Sequence, residues 1–158
     1  MKALPARSLA IETVDAADRA IVTIVLPHSA LVPAPLAAPR DTADERILHL
    51  GPRRWLVLSR HASATATIDA WERRLADVTH RVEDAAARFV RLRVTGPRAA
   101  AAIAEQTSHP ITAPTATPRA LLGDVPVVCC ACTDDAVELL VDRSLAHYAR
   151  AWLERALA

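Results

Sequence analysis

Hydrophobic and polar residues alternate over several short stretches of this chain, and that pattern predicts β-strands separated by turns. Gly51-Pro52 and Thr133-Asp134-Asp135 each separate two such stretches, as expected for hairpin turns. The predicted strands are Leu9 to Val14, Ala20 to Leu26, Ile47 to Leu50, Trp55 to Leu58, Arg88 to Thr95, Pro126 to Cys132 and Ala136 to Val141.

Three further segments have the spacing or the capping residues of helices. The first begins at Ser63, and Ile68, Trp71 and Leu75 form one face of it. The second runs from Arg98 to Gln106, with Pro97 at its first turn. The third begins at Asp142 or Ser144 and ends at Leu157. The order strand, turn, strand, helix therefore occurs twice, with a strand and a helix between the two copies. We expect an α+β fold in which helices cover an antiparallel sheet, as a pseudo-symmetric ferredoxin-like domain or a permuted relative.

The region before residue 46 has a different composition. Prolines at positions 27, 33, 35 and 39 disfavour helix and favour extended chain. We therefore expect residues 1–45 to form an N-terminal arm with a Pro/Ala-rich segment, and residues 46–158 to form the α+β domain. The Pro/Ala-rich segment is expected either to be a mobile linker or to become ordered against a neighbouring chain.

The composition of the chain excludes several classes of protein and several kinds of site. The 158 residues are 52% hydrophobic and 23% charged with a formal net charge of +1, which excludes a disordered chain and a generally basic nucleic-acid binder. The 3 glycines are far apart and Lys2 is the only lysine, so neither a glycine-rich phosphate loop nor an internal Schiff-base lysine is present. Residues 46–98, however, carry eleven basic and five acidic side chains. Such a block suits a docking surface for an acidic partner.

The usual catalytic and metal-binding side chains do not form a motif. The histidines lack metal-ligand spacing, and ordinary surface or cap roles are expected even for His80 and His109 in predicted loops. In a regular strand Cys130 and Cys132 face one way and Cys129 the other, which favours core packing over a metal site. We expect no catalytic, cofactor-binding or metal-binding residue on this chain.

Location is inferred from the same features. An odd number of crowded cysteines indicates a reducing compartment. Residues 1–10 lack the apolar core of a secretory signal, and no stretch approaches the roughly 18 apolar residues of a membrane span. We therefore expect a soluble cytoplasmic protein without nucleic-acid or membrane partners.

The arginines are the better indication of function. Arg91 and Arg93 are predicted on the outward face of one strand beside Phe89, while Val90, Leu92 and Val94 face the other side. The arginines are either part of a solvated sheet face or part of a contact between subunits, for which planar guanidinium groups are well suited. The candidate interface residues are Arg53, Arg54, Phe89, Arg91 and Arg93.

Several segments, taken in order, resemble the gamma subunit family of heterotetrameric sarcosine oxidase. They are Leu50 to Leu58, Asp77 to Arg81, Val90 to Ala99, Ala120 to Val128 and Glu138 to Leu153. The resemblance covers roughly residues 46–155. Ile111 to Ala116 depart from the family's pattern, which has an Asp-Leu pair, then a Phe and a Pro-Gly.

The resemblance implies a non-catalytic subunit that assembles and stabilises a flavoenzyme complex. Such a complex demethylates sarcosine oxidatively and transfers the one-carbon unit to tetrahydrofolate. The resemblance places FAD, FMN, NAD and tetrahydrofolate on sister chains, makes the large alpha subunit the main partner, and relates the fold to the folate-binding domain of aminomethyltransferase. Two alternatives remain open: a stand-alone folate-binding aminomethyltransferase-like protein, and a homodimer that covers its own arginine-rich face.

Overall fold

The computed structural model describes residues 9–14, 20–38, 40–60, 62–108 and 118–158. Three helices and ten strands lie in this part of the chain, and the strands form two five-stranded antiparallel sheets in the orders β1-β7-β10-β9-β8 and β3-β4-β5-β2-β6. The strands are β1 (Ala10–Val14), β2 (Ala20–Val25), β3 (Arg40–Asp41), β4 (Glu45–Gly51), β5 (Arg54–Ser59), β6 (Arg81–Asp84), β7 (Phe89–Thr95), β8 (Arg119–Leu122), β9 (Val125–Thr133) and β10 (Ala136–Asp142). The helices are α1 (Ala64–Arg74), α2 (Ala99–Ala104) and α3 (Ala146–Ala156). The expected α+β class is confirmed.

By their contacts the described residues form two compact units. Unit A contains residues 9–14, 90–108 and 119–158, and unit B contains the described residues between 20 and 89 together with Pro118. Neither boundary lies at residue 45, where the sequence analysis divided an arm from a domain. In particular, β2 is not part of an arm, because it is hydrogen-bonded to β5 on one edge and to β6 on the other. Its strand pattern was visible in the sequence, but its partners come much later in the chain.

The two units repeat one order of elements. Unit B contains β2, a 3₁₀ turn (Ala34–Leu36), β3, β4, β5, α1 and β6, in that order. Unit A contains β7, α2, β8, β9, β10 and α3, and its last strand is supplied by β1 from the other end of the chain. Equivalent strands occupy equivalent places in the two sheets. Apart from the edge strands β3 and β8, the remaining four strands of each sheet follow the strand order of a ferredoxin-like fold. The expected pseudo-symmetry is therefore present, and unit A is a permuted copy.

One face of each sheet carries a hydrophobic core. In unit B, α1 begins after Ser63, whose Oγ accepts a hydrogen bond from the Ala66 N–H at 3.2 Å. Trp71 of this helix and Leu75, the residue that follows it, are fully buried, as predicted from their spacing. Leu36, from the 3₁₀ turn that replaces a helix in this unit, enters the same core with 2% exposure. The proline-rich segment is thus anchored at this point rather than extended throughout.

The corresponding core of unit A is formed by side chains of β7 to β10 and of the helices α2 and α3. Its buried members are Leu92, Val94, Ala99, Ile103, Ala120, Leu122, Val125, Val127, Cys129, Val137, Leu139, Val141, Ala149 and Leu153.

Helix α2 is capped from a distant turn. Arg98, the residue before the helix, has a left-handed backbone with φ of 61°, and its N–H donates to Oδ1 of Asp135 at 3.0 Å. The Ala100 N–H donates to the main-chain oxygen of Asp134 at 3.1 Å. The turn between β9 and β10 therefore satisfies donors at the start of α2 that have no partner within the helix.

We expect Asp135→Ala to lower the free energy of unfolding by about 1 kcal/mol, because the variant removes the carboxylate that caps this helix. Urea denaturation monitored by circular dichroism measures the change. The matched control is Asp134→Ala, since Asp134 contacts the helix through its backbone oxygen, and this change should stay within about 0.5 kcal/mol of wild type. Equal effects of the two substitutions would contradict the capping role of the Asp135 side chain.

Candidate functional site

The five candidate interface residues lie in two places, and they differ in burial and in their contacts. Phe89, Arg91 and Arg93 belong to β7, whereas Arg53 and Arg54 belong to the hairpin turn between β4 and β5. Phe89 is 7% exposed, and the guanidinium of Arg88 lies over its ring at 5.3 Å from the centroid. Its ring is thus shielded from solvent, contrary to the expectation of an outward face.

A charged cluster joins β7 to its neighbour β10. Arg91 Nη1 lies 4.0 Å from Oε2 of Glu138, and Arg93 Nε lies 3.8 Å from Oε1 of the same carboxylate. The side chains of Arg91 and Glu138 are only 7% and 12% exposed, whereas that of Arg93 is 46% exposed. The two arginines share a face as predicted. Arg91, however, is buried, and the nearby Glu138 carboxylate compensates its positive charge. Only Arg93 remains accessible to a partner at this place.

The three cysteines are separated by a β-bulge. Glu138 pairs with Ala131 and Leu139 pairs with Cys129, so Cys130 is an extra residue in β9. Its Sγ donates to the main-chain oxygen of Glu138 at 3.4 Å. Cys129 and Cys132 instead contact the core of unit A. The expectation that Cys130 and Cys132 face the same side is therefore wrong, because the bulge interrupts the alternation on which it depended.

Cys132 is the least buried of these thiols. Partial burial, together with the negative charge of Asp134, raises the pKa of the Cys132 thiol. Both causes disfavour the thiolate, which is the nucleophilic form. All three cysteines are free of disulfides.

One of the two arginines at the β4–β5 turn forms hydrogen bonds within its own unit. Arg53 has a left-handed φ of 60°, and its guanidinium donates to the main-chain oxygen of His28 at 2.9 Å and to that of Ala30. Arg54, the next residue, is exposed. The sequence suggested equivalent roles for these neighbours, but Arg53 holds the loop that follows β2, and Arg54 is accessible to solvent.

His80 forms a local ion pair in unit B. Its Nδ1 lies 2.6 Å from the main-chain oxygen of Val78, and its Nε2 lies 2.7 Å from Oε2 of Glu72. Both partners are acceptors, so only the doubly protonated ring can donate to each of them. The Val78 carbonyl and the Glu72 carboxylate raise the pKa of His80, although burial acts in the opposite direction. His109, the other loop histidine of the sequence analysis, lies outside the described residues.

Across the described residues, no three His, Cys, Asp or Glu side chains come together as a metal-binding group. Within the same ranges, none of the helices combines the length and the apolar character needed to cross a membrane. A depression of about 230 Å³ lies at the ends of α2 and α3 in unit A, and its lining includes Glu105 and Gln106.

Sequence reasoning missed two residues, one in each unit. Glu138 is the one carboxylate within the otherwise apolar run Ala136 to Val141, and an isolated charge in a buried strand is a signal for an ion pair. Leu31 is 87% exposed although it is a large hydrophobic residue. No local pattern could have indicated its exposure, because exposure depends on where the loop is anchored.

We expect Glu138→Ala to destabilise the fold by about 1–3 kcal/mol, because it removes a nearly buried carboxylate that lies close to a buried guanidinium. The matched variant Arg93→Ala removes a half-exposed partner of the same carboxylate and should cost at most about 1 kcal/mol. Urea unfolding of both variants measures the difference. A loss below about 1 kcal/mol in Glu138→Ala would show that the cluster contributes little.

The His80 pair predicts a pH dependence of stability. Because the folded-state pKa is raised, this contribution is fully present below the unfolded value of about 6.5 and is lost as the pH rises through the folded value. The difference in unfolding free energy between wild type and His80→Gln should therefore be larger at about pH 5.5 than at about pH 9. Glu72→Gln should reduce this difference, and His147→Gln on α3 is the control for an exposed histidine. A difference that grows with pH would contradict the assignment.

Comparisons with known proteins identify the fold. No protein-family model and no curated protein matches the sequence. A chain of the heterotetrameric sarcosine oxidase from Corynebacterium sp. U-96, solved in complex with pyrrole 2-carboxylate, is similar with a TM-score of 0.71 and 19% identity, over 98% of this chain and 86% of that chain. Glycine cleavage system aminomethyltransferase T from Bartonella henselae is similar with a TM-score of 0.58 and 14% identity, over 94% of this chain but 46% of that chain. The ligand-free regulatory subunit of aspartate kinase from Thermus thermophilus is similar with a TM-score of 0.52 and 11% identity, over 96% and 98% of the two chains. At these identities the likeness shows an aminomethyltransferase-like fold.

Proposed function

We propose that this chain is a gamma-type subunit of a heterotetrameric sarcosine-oxidase-like flavoenzyme complex, acting in its assembly and stability without chemistry of its own. The observation that carries the proposal is the correspondence over 98% of this chain and 86% of one chain of such an oxidase. A correspondence over nearly all of both chains fits a whole subunit better than a shared module. The ordered sequence motifs between residues 46 and 155 support the same assignment.

The side-chain chemistry of the described residues is consistent with a scaffold. Glu138 is held by two guanidinium groups, Arg53 holds a loop, and His80 is held between a carbonyl and a carboxylate. In each case the polar group makes contacts within its own unit. These contacts fix the surface of the fold, which is what an assembly subunit has to supply.

The partners in this proposal are the other subunits of the complex, above all the large alpha subunit. FAD, FMN, NAD and tetrahydrofolate would be bound by those subunits, and the complex would demethylate sarcosine oxidatively. This chain would add stability to the assembly, because any component that binds only the folded partner shifts its unfolding equilibrium.

The likeness to an aminomethyltransferase favours a second candidate, a stand-alone folate-binding protein. This chain spans 46% of that enzyme's length. The depression in unit A has a volume of about 230 Å³, which is smaller than the roughly 300–1,000 Å³ of typical small-molecule sites. The assembly role is the better supported of the two, because the correspondence covers 86% of the oxidase chain but only 46% of the aminomethyltransferase.

Co-expression with the oxidase subunits of the same organism, followed by size-exclusion chromatography, tests the proposal. We expect this chain to elute with the other subunits, and the complex prepared without it to unfold at a lower temperature. Calorimetry of the isolated chain with tetrahydrofolate is the control, and no heat of binding is expected. A chain that stays alone beside intact oxidase subunits, or one that binds tetrahydrofolate by itself, would contradict the proposal.

A further inference from the structure

The loop of residues 27–33, which we call the apolar loop, displays hydrophobic side chains to solvent. Leu31 is 87% exposed and Val32 is 39% exposed. Leu31 is the most exposed large hydrophobic residue in the described part of the chain. Single exposed hydrophobic residues are common on protein surfaces, so exposure alone does not indicate a binding site. Two further features of this loop do.

The apolar loop is anchored at both ends. At its start, the Ala30 N–H donates to the main-chain oxygen of Pro27 at 3.1 Å, and the guanidinium of Arg53 donates to the main-chain oxygens of His28 and Ala30. Just beyond its end, the Leu36 N–H donates to the main-chain oxygen of Pro33 at 2.9 Å, and the Leu36 side chain is buried in the core. Proline at both limits further restricts the backbone. A loop fixed in this way loses little conformational entropy when a partner covers it.

The border of the apolar loop is basic. The loop begins two residues after Val25, the last residue of β2. Val25 is paired with Arg54 of β5 on one side and with Arg81 of β6 on the other. Directly paired residues share a face of an antiparallel sheet, and both arginines are exposed. Residues 20–38 and 46–60 contain no Asp or Glu. Arg81 also forms an ion pair with Glu83, but both side chains are largely solvent-exposed, so that pair competes weakly with a partner.

The backbone at Arg53 supports the view that the loop conformation is specified. A left-handed φ of 60° is easier for glycine than for any other residue. Arginine at this position supplies the guanidinium that fixes the apolar loop. The strained backbone at Arg53 is thus accompanied by hydrogen bonds that fix the loop carrying Leu31.

We propose that the apolar loop, together with Arg54 and Arg81, is the docking surface for a partner protein that offers an apolar pocket bordered by carboxylates. Leu31 fills the pocket, and the two arginines face the carboxylates. This inference rests on the proposed function and makes it more specific, because the partner is the oxidase subunit that this chain joins. The basic border speeds association and the buried leucine slows dissociation, so the two parts can be measured separately.

The test measures binding kinetics between the purified full-length chain and the immobilised complex of the remaining oxidase subunits. Leu31→Ser should weaken binding about tenfold or more, mainly through faster dissociation. Tyr148→Ser, a change of a half-exposed hydrophobic residue on α3 of unit A, is the matched control and should bind as wild type does. The 87% exposure of Leu31 means that the unfolding midpoint of its variant should equal that of wild type.

A second set of variants tests the contribution of the exposed arginines to binding. Arg54→Glu should slow association and weaken its dependence on ionic strength, whereas Arg54→Lys should retain most of the wild-type rate. Arg155→Glu, which reverses an exposed charge on α3, controls for the change in net charge. Slower association in Arg54→Glu but not in Arg155→Glu supports the docking surface.

The other outcomes overturn the inference in distinguishable ways. If wild type binds the oxidase subunits and Leu31→Ser binds equally well, the docking surface is elsewhere and the proposed function stands. If wild type does not bind them, the proposed function fails and the inference fails with it. If wild type alone forms a dimer that Leu31→Ser abolishes, the occupant of the apolar loop is a second copy of this chain.

Discussion

Each sheet depends on the interior strand next to one of its edges, because the backbone groups of that strand must be paired on both sides. β2 meets this requirement through β5 and β6, and β7 meets it by lying between β1 and β10. Several features follow from these pairings. The arginines of β7 face Glu138 because β10 is the neighbouring strand, and Arg53 reaches the loop after β2 because β5 pairs with β2. The order of the strands therefore determines both the charged cluster around Glu138 and the anchoring of the apolar loop.

The elements that local sequence determines were predictable. Alternation identified β7, and the turns at Gly51-Pro52 and Asp134-Asp135 identified the β4–β5 and β9–β10 hairpins. The spacing of Trp71 and Leu75 identified the buried face of α1, because helical periodicity depends on neighbouring residues alone. The repeat of strand, turn, strand and helix was also visible, and it indicated the pseudo-symmetry that the two sheets share.

What escaped prediction depends on contacts between distant residues. The burial of Arg91 requires Glu138 on another strand, and the place of Cys130 requires a register shift between β9 and β10. Likewise, the interior position of β2 depends on strands that follow it in the sequence. The sequence also did not distinguish the neighbours Arg53 and Arg54, of which Arg54 is accessible while Arg53 is occupied within its own unit. The exposure of Leu31 could not be anticipated without the anchors on either side of it.

The pairing of β1 with β7 has a consequence for synthesis. A growing chain emerges in sequence order, so β1 leaves the ribosome before unit B, and Thr95, the partner of Ala10, follows only after unit B. At about 5–20 residues per second, roughly 4 to 17 seconds separate Ala10 from Thr95. During that interval unit B can complete its own sheet, whereas β1 has no edge to join. Unit A, which holds the earliest described strand, is thus completed last, and its first strand has to remain available until then.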